Sequence, residues 1–102
     1  MLISDQIKSE HGKGISHRSL AVIYREKNHL DKSKKEFEIS EETLKNVDEK
    51  GEIAELYYNY ALLWKKMGKK KRYKKYLQDA LTIFKDLGMN RWINKCDKEL
   101  TK

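Results

Sequence analysis

The most strongly charged part of the chain is the segment KKMGKKKRYKK at positions 65–75. Lysine and arginine attract phosphates and carboxylates, and aromatic side chains such as the nearby Tyr73 and Tyr76 can stack on unpaired bases. The net charge is +7, and the whole excess lies in residues 51–102. The segment therefore has three interpretations: a nucleic-acid-binding patch, a site for an acidic protein segment, or a solvent-exposed turn that is rich in lysine.

The histidines and the cysteine do not form a catalytic or metal-binding pattern. The three histidines lack the spacing of a metal site, and they are His11, His17 and His29. Cys96 is the only cysteine, so it cannot form an internal disulfide, and no histidine is placed to activate it. We interpret Cys96 as a buried apolar residue.

The acidic pairs and the glycines also argue against catalysis. Glutamates 41–42 and the acids at 48–49 fall on predicted solvated surfaces, where nothing would raise a carboxyl pKa. The GKG sequence at 12–14 is too short for a phosphate-binding loop and follows no strand. We therefore predict that the protein is not an enzyme and needs no cofactor or metal.

Composition indicates what kind of elements position these residues. The chain has 102 residues, which suits one domain, and 38% of them are charged and 38% hydrophobic. It contains no proline, which favours long uninterrupted helices. It has no apolar run long enough to span a membrane, and its start is too short and too acidic for a secretory signal. We expect a cytoplasmic protein without membrane contact.

Apolar residues follow helical spacing in four segments before residue 88. The segments are marked by Leu20, Val22, Ile23 and Tyr24; by Leu30, Phe37, Leu44 and Val47; by Ile53, Tyr57, Tyr60, Ala61 and Trp64; and by Tyr73, Leu77, Ala80, Leu81, Phe84 and Leu87. Breaks are predicted at 28–29, at 48–51 and at Gly68, and Gly88 resembles a C-terminal glycine cap. Asp31 is predicted to cap the second helix.

The pattern repeats after 40 residues. Ala21 then falls on Ala61, and Tyr24 falls on Trp64. Asn28 falls on Gly68, and both residue types suit a left-handed turn position. Phe37, Ser40 and Leu44 fall on Leu77, Ala80 and Phe84. The agreement of small with small and large with large residues predicts two helical hairpins.

These residues resemble the tetratricopeptide repeat, a helical hairpin with small residues where its two helices cross. The pattern is carried in the second unit by Tyr57, Tyr60, Ala61, Trp64, Gly68, Tyr73, Leu77 and Ala80, and in the first by His17, Leu20, Ala21, Tyr24, Asn28, Ser33, Phe37 and Ser40. The period of 40 is longer than the usual repeat, the closing proline is missing, and Tyr73 stands where a small residue is usual. The resemblance implies an all-α protein of about five helices, stacked as antiparallel hairpins in a right-handed α-solenoid.

The chain divides into four parts on this basis. Residues 14–50 and 51–88 are the two repeats, and residues 89–102 form a C-terminal capping helix with Trp92, Ile93, Cys96 and Leu100 on one face. Residues 1–13, with Leu2, Ile3 and Ile7, are interpreted as the tail of a preceding repeat. Two repeats are few for a stable array, so the chain either belongs to a longer protein or associates with itself through open repeat ends.

The resemblance also places a partner. In this family the first helix of each hairpin lines a concave groove. Carried over to this sequence, the groove residues are Arg18, Val22 and Arg25 in the first unit, and Tyr58, Asn59, Leu62, Lys65 and Lys66 in the second. Tyr58, Leu62 and Lys65 are spaced by four and three, so they share one helix face. The alternative for Tyr58 is that it packs on the neighbouring hairpin.

The function expected from this groove is protein–protein interaction, as an adaptor or scaffold. The groove would hold a peptide or a helix, and its lysines and arginines would suit an acidic one. The alternative function is a small basic domain that binds nucleic acid through Lys65–Lys75. A third alternative is self-association without another partner.

Overall fold

Five helices make up the structure, which is a computed structural model that describes the backbone of residues 2–101 and the side chains of residues 9–101. They are α1 (Leu2–Glu26), α2 (Leu30–Asn46), α3 (Lys50–Lys66), α4 (Lys70–Leu87) and α5 (Asn90–Leu100). No strand occurs within residues 2–101. The prediction of an all-α protein with five helices is confirmed.

The helices pack in sequential pairs. The two closest pairings are α1 with α2 and α3 with α4, and they form the two hairpins. α2 also packs on α3, and α4 packs on α5, so the hairpins stack and α5 covers the second one. The stack measures 47 × 33 × 19 Å. No helix among residues 2–101 has the length and hydropathy that crossing a bilayer requires.

α1 begins earlier than the sequence pattern indicated. It runs without a break from Leu2 to Glu26, so residues 2–13 continue directly into the first helix of hairpin one. The structure describes side chains from residue 9 onward. The apolar side chains that suggested a preceding repeat lie before that point, and they are Leu2, Ile3 and Ile7.

All four turns between helices have the same backbone geometry. Asn28, Asp48, Gly68 and Gly88 have positive φ angles of 53° to 75°, and these residues are spaced by 20 along the chain. In each turn the N–H of this residue bonds a carbonyl three residues back, and the next N–H bonds one five residues back, as in Lys69 N to Trp64 O at 2.9 Å. This is the Schellman motif, which satisfies the last carbonyls of a helix. The predicted turns at Asn28, Gly68 and Gly88 are confirmed.

The prediction that Asp31 caps α2 is wrong. α2 starts at Leu30, with His29 in the cap position and no side-chain hydrogen bond to the first turn. Asp31 lies within the first turn, where its charge still favours the helix dipole. The Schellman turn fixes the start of each helix two residues after the left-handed residue, which is earlier than the side-chain pattern suggested.

The same glycine substitution should have opposite effects at two positions. Gly68 has a φ of +75°, and a Cβ there would meet no atom within 4 Å, so Gly68→Ala should destabilise the fold by about 1–2 kcal/mol through backbone strain alone. Gly12 lies inside α1, also with free space around it, so Gly12→Ala should stabilise by up to about 1 kcal/mol. Urea unfolding of both variants measures the two shifts, and equal signs would contradict the assigned turn.

Two buried clusters hold the stack together. The first joins the hairpins through Phe37, Leu44, Ile53, Leu56, Tyr60, Leu63, Trp64 and Ala21, and the second joins α3, α4 and α5 through Ala54, Ala61, Leu77, Ala80, Leu81, Phe84 and Cys96. Helices can cross closely where both sides are small. Ala21, Ala61, Ser40 and Ala80 are fully buried, which agrees with the small positions of the repeat pattern.

The first hairpin adds buried hydrogen bonds to this pattern. The Ser33 hydroxyl donates to the Ala21 carbonyl, and the Ser40 hydroxyl donates to the Gly14 carbonyl, both at 2.7 Å. A Cβ on Gly14 would lie 2.5 Å from Leu44 Cδ2, so α1 and α2 approach too closely there for a larger residue. These hydrogen bonds, together with the Leu44 side chain against Gly14, fix α2 on α1.

Leu20 departs from its expected place in the core. It is 39% exposed, and its neighbour Ile23 is 49% exposed, whereas the residues 40 positions later, Tyr60 and Leu63, are 3% and 0% exposed. The difference arises because α2 covers this face of α3, while no helix of the described chain covers the matching face of α1. Tyr24 is half-buried, so its exposure lies between that of the exposed pair on α1 and that of the buried pair on α3.

Candidate functional site

The predicted groove residues lie on neighbouring first helices. Helical spacing places Asn59, Leu62 and Lys66 on one face of α3, opposite the face of Tyr60 and Trp64. We call the surface formed by α1, α3 and α5 on this side the first-helix face. The remaining predicted residues on it are Arg18, Val22, Arg25, Tyr58 and Lys65.

The two arginines connect α1 to α3. One nitrogen of the Arg18 guanidinium donates to the Glu52 carboxylate at 2.7 Å and to the Glu52 carbonyl at 3.1 Å, and the other lies 3.8 Å from Glu55. The Arg25 guanidinium donates to the Asn59 carbonyl at 2.8 Å and is only 6% exposed. Both arginines therefore hold helices together, because hydrogen bonds from buried charged groups are costly to break.

Further polar contacts complete this connection. The Lys66 ammonium donates to the Arg25 carbonyl at 3.1 Å, which satisfies a carbonyl at the end of α1. The Asn59 amide donates to the Glu55 carbonyl at 2.9 Å within its own helix. Burial raises the pKa of the Glu55 carboxyl above its usual range, and the charge of Arg18 partly opposes this effect.

Equivalent contacts connect α3 to α5. The ring of Tyr58 meets the ring of Trp92 edge to face at 5.4 Å, and the Lys65 ammonium donates to the Glu99 carboxylate at 3.2 Å. Each contact joins residues 34 apart, and each lies 40 residues after its counterpart between α1 and α3. The alternative prediction for Tyr58 was packing on the neighbouring hairpin, whereas in the structure its ring contacts Trp92 of the single helix α5.

Glu99 has a central place at the α5 end of the face. It is 8% exposed, and the Tyr73 hydroxyl lies 3.0 Å from its carboxylate and 3.1 Å from its carbonyl. Burial and the bond to Glu99 raise the pKa of Tyr73 to about 12, so the Tyr73 hydroxyl keeps its proton at neutral pH and donates a hydrogen bond to Glu99. Tyr73 breaks the small-residue pattern because its hydroxyl reaches across to α5.

The carboxylates that pair with the groove cations were not predicted from the sequence. Glu52, Glu55 and Glu99 are separated from Arg18 and Lys65 by 34 or more residues, and this offset depends on how neighbouring first helices are aligned. The face therefore combines paired charges with the half-buried side chains of Val22 and Leu62. It offers apolar surface and hydrogen-bonding groups more than a net positive field.

The basic segment 65–75 is divided among different sides of the second hairpin. Lys65 and Lys66 lie on the first-helix face, whereas the Arg72 guanidinium lies 4.6 Å from the centre of the Trp64 ring and the Lys75 ammonium 5.7 Å from that of Tyr76. Residues 69–72, at the start of α4, line a cavity of about 320 Å³. Tyr73 and Tyr76 are half-buried and contact other rings or Glu99, so neither presents a free face for a base.

The other chemically reactive residues have structural contacts. His17 Nδ1 bonds the Glu36 carboxylate across the first hairpin, and His11 lies 3.9 Å from Glu49. No group of three or more potential ligands that could hold a metal occurs in the described part of the chain. Cys96 is fully buried, and burial raises the pKa of its thiol to about 11. The interpretation of Cys96 as a buried residue is confirmed.

Comparison with known proteins gives no relative. No protein-family model matches the chain, and neither a curated protein nor a solved structure matches it. The resemblance to the tetratricopeptide repeat therefore stays a prediction from the residue pattern.

Proposed function

We propose that the protein is an interaction module of tetratricopeptide type that holds a peptide or helix of another protein on the first-helix face. The observation that carries this proposal is the repeated register of α1, α3 and α5, whose contacts recur after 40 residues. Such a register makes a continuous surface from three helices. Repeat proteins use surfaces of this kind for extended partners.

The chemistry of the face favours an amphipathic partner. Val22 and Leu62 occupy matching positions on α1 and α3, and both are half-buried. Burying such side chains under a partner contributes roughly 25 cal/mol per Å² of apolar surface. The cations around them already have carboxylate or carbonyl partners, so they contribute directional hydrogen bonds at the rim rather than strong attraction of acids.

Binding of synthetic peptides tests the proposal. We expect fluorescein-labelled helical peptides with leucine at i, i+3 and i+4 spacing to bind the protein. Binding is measured as an increase in the fluorescence anisotropy of the peptide. Leu62→Glu combined with Val22→Glu should weaken this binding at least about tenfold, since it places two charges under the apolar side of the peptide. The matched control is Ile39→Glu combined with Leu87→Glu, which makes the same change at exposed positions elsewhere.

Equal affinities of the two double variants would contradict the site, provided that circular dichroism shows both to be folded. Absence of binding by the wild-type chain to every peptide of the set would contradict the function. A parallel titration with single-stranded DNA addresses the alternative function, because binding through 65–75 must weaken steeply as salt increases. Sedimentation at several protein concentrations addresses self-association.

A further inference from the structure

A second concave site lies on the other side of α3, between the second helices of the two hairpins. This cleft has a volume of about 470 Å³, and its lining comes from α2, α3 and α4. The residues are Lys34, Glu38, Glu41, Tyr60, Trp64, Arg72, Lys75 and Tyr76. We call it the second-helix cleft. Because Tyr60 and Trp64 lie opposite the first-helix face on α3, the two sites are separate.

Aromatic rings form the floor of the second-helix cleft. Tyr60 lies between Phe37, Trp64 and Tyr76, with centre-to-centre distances of 4.9, 5.2 and 4.8 Å. Burial raises the pKa of the Tyr60 and Tyr76 hydroxyls, so both are neutral at physiological pH. The floor is therefore aromatic and uncharged.

Trp64 gives this floor an unsatisfied donor. The side chain is 3% exposed, and its indole N–H finds no acceptor in the described part of the chain. A buried donor without a partner costs about 1–3 kcal/mol. Since buried polar groups are nearly always paired in native proteins, this one needs an acceptor from outside the chain, which is either a water molecule or a ligand.

Three cations stand around the same floor without a carboxylate partner. Arg72 and Lys34 lie 4.6 and 5.8 Å from the Trp64 ring centre, and Lys75 lies 5.7 Å from the Tyr76 ring centre. None of them makes an ion pair within the described residues. Their charged groups lie over aromatic rings instead. Their N–H donors are therefore open to an anion.

Two acids add negative charge to the lining of this cleft. They are Glu38 and Glu41, and Glu41 pairs with Lys45 at 3.2 Å. Glu38 makes no ion pair within the described residues, so a positive group next to the ligand's anionic group would pair with it. The charges of the lining therefore complement an anionic group that has a cation beside it.

We propose that the second-helix cleft binds a peptide segment in which an aspartate or glutamate is followed by a lysine or arginine. The carboxylate accepts from the Trp64 indole N–H and from Arg72 and Lys34, and the following cation pairs with Glu38. The indole nitrogen is covered in the unbound protein, so binding requires the half-buried Lys34 and the exposed Arg72, which lie over the ring, to move toward the carboxylate.

Nuclear magnetic resonance of the two tryptophan indoles tests this site directly. The probe is acetyl-Leu-Glu-Lys-Leu-amide, and the control peptide lacks the carboxylate because it contains Gln in place of Glu. We expect the Trp64 indole N–H resonance to move downfield and saturate with the first peptide and to stay in place with the second. The Trp92 resonance, assigned through Trp92→Phe, should not move.

Charge-matched variants separate the site from general attraction to a basic protein. Lys34→Gln combined with Arg72→Gln should weaken the Trp64 response at least about tenfold. Lys35→Gln combined with Lys85→Gln removes the same charge from exposed positions outside the cleft and should leave the response unchanged. Val22→Glu combined with Leu62→Glu should also leave it unchanged, so failure at the first-helix face does not affect this result.

Three outcomes would overturn the proposal. The first is a Trp64 resonance that stays fixed during titration with the glutamate peptide. The second is an equal response to the glutamine peptide or in the Lys34 and Arg72 variant. The third is tighter binding of inorganic phosphate than of the peptide, which would show that the cleft recognises an anion alone and not an anion with a neighbouring cation.

Discussion

Phe37→Ala should lower the free energy of unfolding by about 3–5 kcal/mol. The Phe37 side chain is fully buried, and its ring stacks on Tyr60 at 4.9 Å, which joins α2 of the first hairpin to α3 of the second. Its loss opens a cavity between the two hairpins as well as within the first one. Since a domain of this size has a total stability of about 5–15 kcal/mol, the variant should be close to unfolding at 37 °C.

Urea unfolding followed by circular dichroism measures this effect. Ile39→Ala is the matched control, because Ile39 lies on the same helix but is 42% exposed, and it should change stability by less than about 0.5 kcal/mol. Similar losses in both variants would show that α2 does not face α3 through Phe37. A two-step transition for Phe37→Ala would show instead that the hairpins unfold separately once the ring is absent.

Trp92→Ala should release α5 from the second hairpin and expose Cys96. The Trp92 ring stacks on Phe84 at 5.2 Å and meets Tyr58 at 5.4 Å, so it joins α5 to both α4 and α3. α5 has 11 residues, which is too short for a helix to be stable without packing. Removal of the ring should therefore detach the helix as a unit.

The Cys96 thiol reports this release. In the folded protein the thiol is fully buried, and its pKa is raised to about 11, so little thiolate is present at pH 8. Return of the pKa to the ordinary thiol value of about 9 raises the thiolate fraction about 100-fold, before any gain in access is counted. The rate of reaction with a disulfide reagent at pH 8 measures the change.

Asn94→Ala is the control for this experiment, because Asn94 is an exposed residue of the same helix. In the Asn94→Ala variant the Cys96 thiol should react at the wild-type rate. A slow thiol in Trp92→Ala would mean that Phe84 and Tyr58 do not hold α5 through the Trp92 ring.

Local sequence predicted the hairpins well because the relevant forces act over short distances. Asn28, Gly68 and Gly88 marked turns, since few residue types tolerate a positive φ, and Asp48 gave no such clear signal although it adopts the same conformation. Ala21 and Ala61 marked the crossings of helices, where only small residues fit. Helix starts were less certain, as Asp31 shows.

The surfaces could not be predicted to the same degree because they depend on alignment between helices. Arg18 and Lys65 were placed on the first-helix face, but their partners Glu52 and Glu99 are set by the offset of one first helix against the next. The second-helix cleft brings Lys34 of one hairpin near Arg72 of the other, around a ring of α3. No local pattern contains that distance, and it follows only from stacking.

The equal spacing of the four left-handed residues has a consequence for how this chain could be lengthened. Residues 30–69 form a cassette that contains α2, α3 and the turn after each of them. If this cassette were duplicated, it would begin and end at equivalent positions after a left-handed residue, so each inserted helix would meet its neighbours in the register already present. A longer array made in this way would keep its phase, whereas insertion of a single residue inside α3 would rotate everything after it by about 100°. Growth by whole cassettes is thus the change in length that this architecture tolerates best.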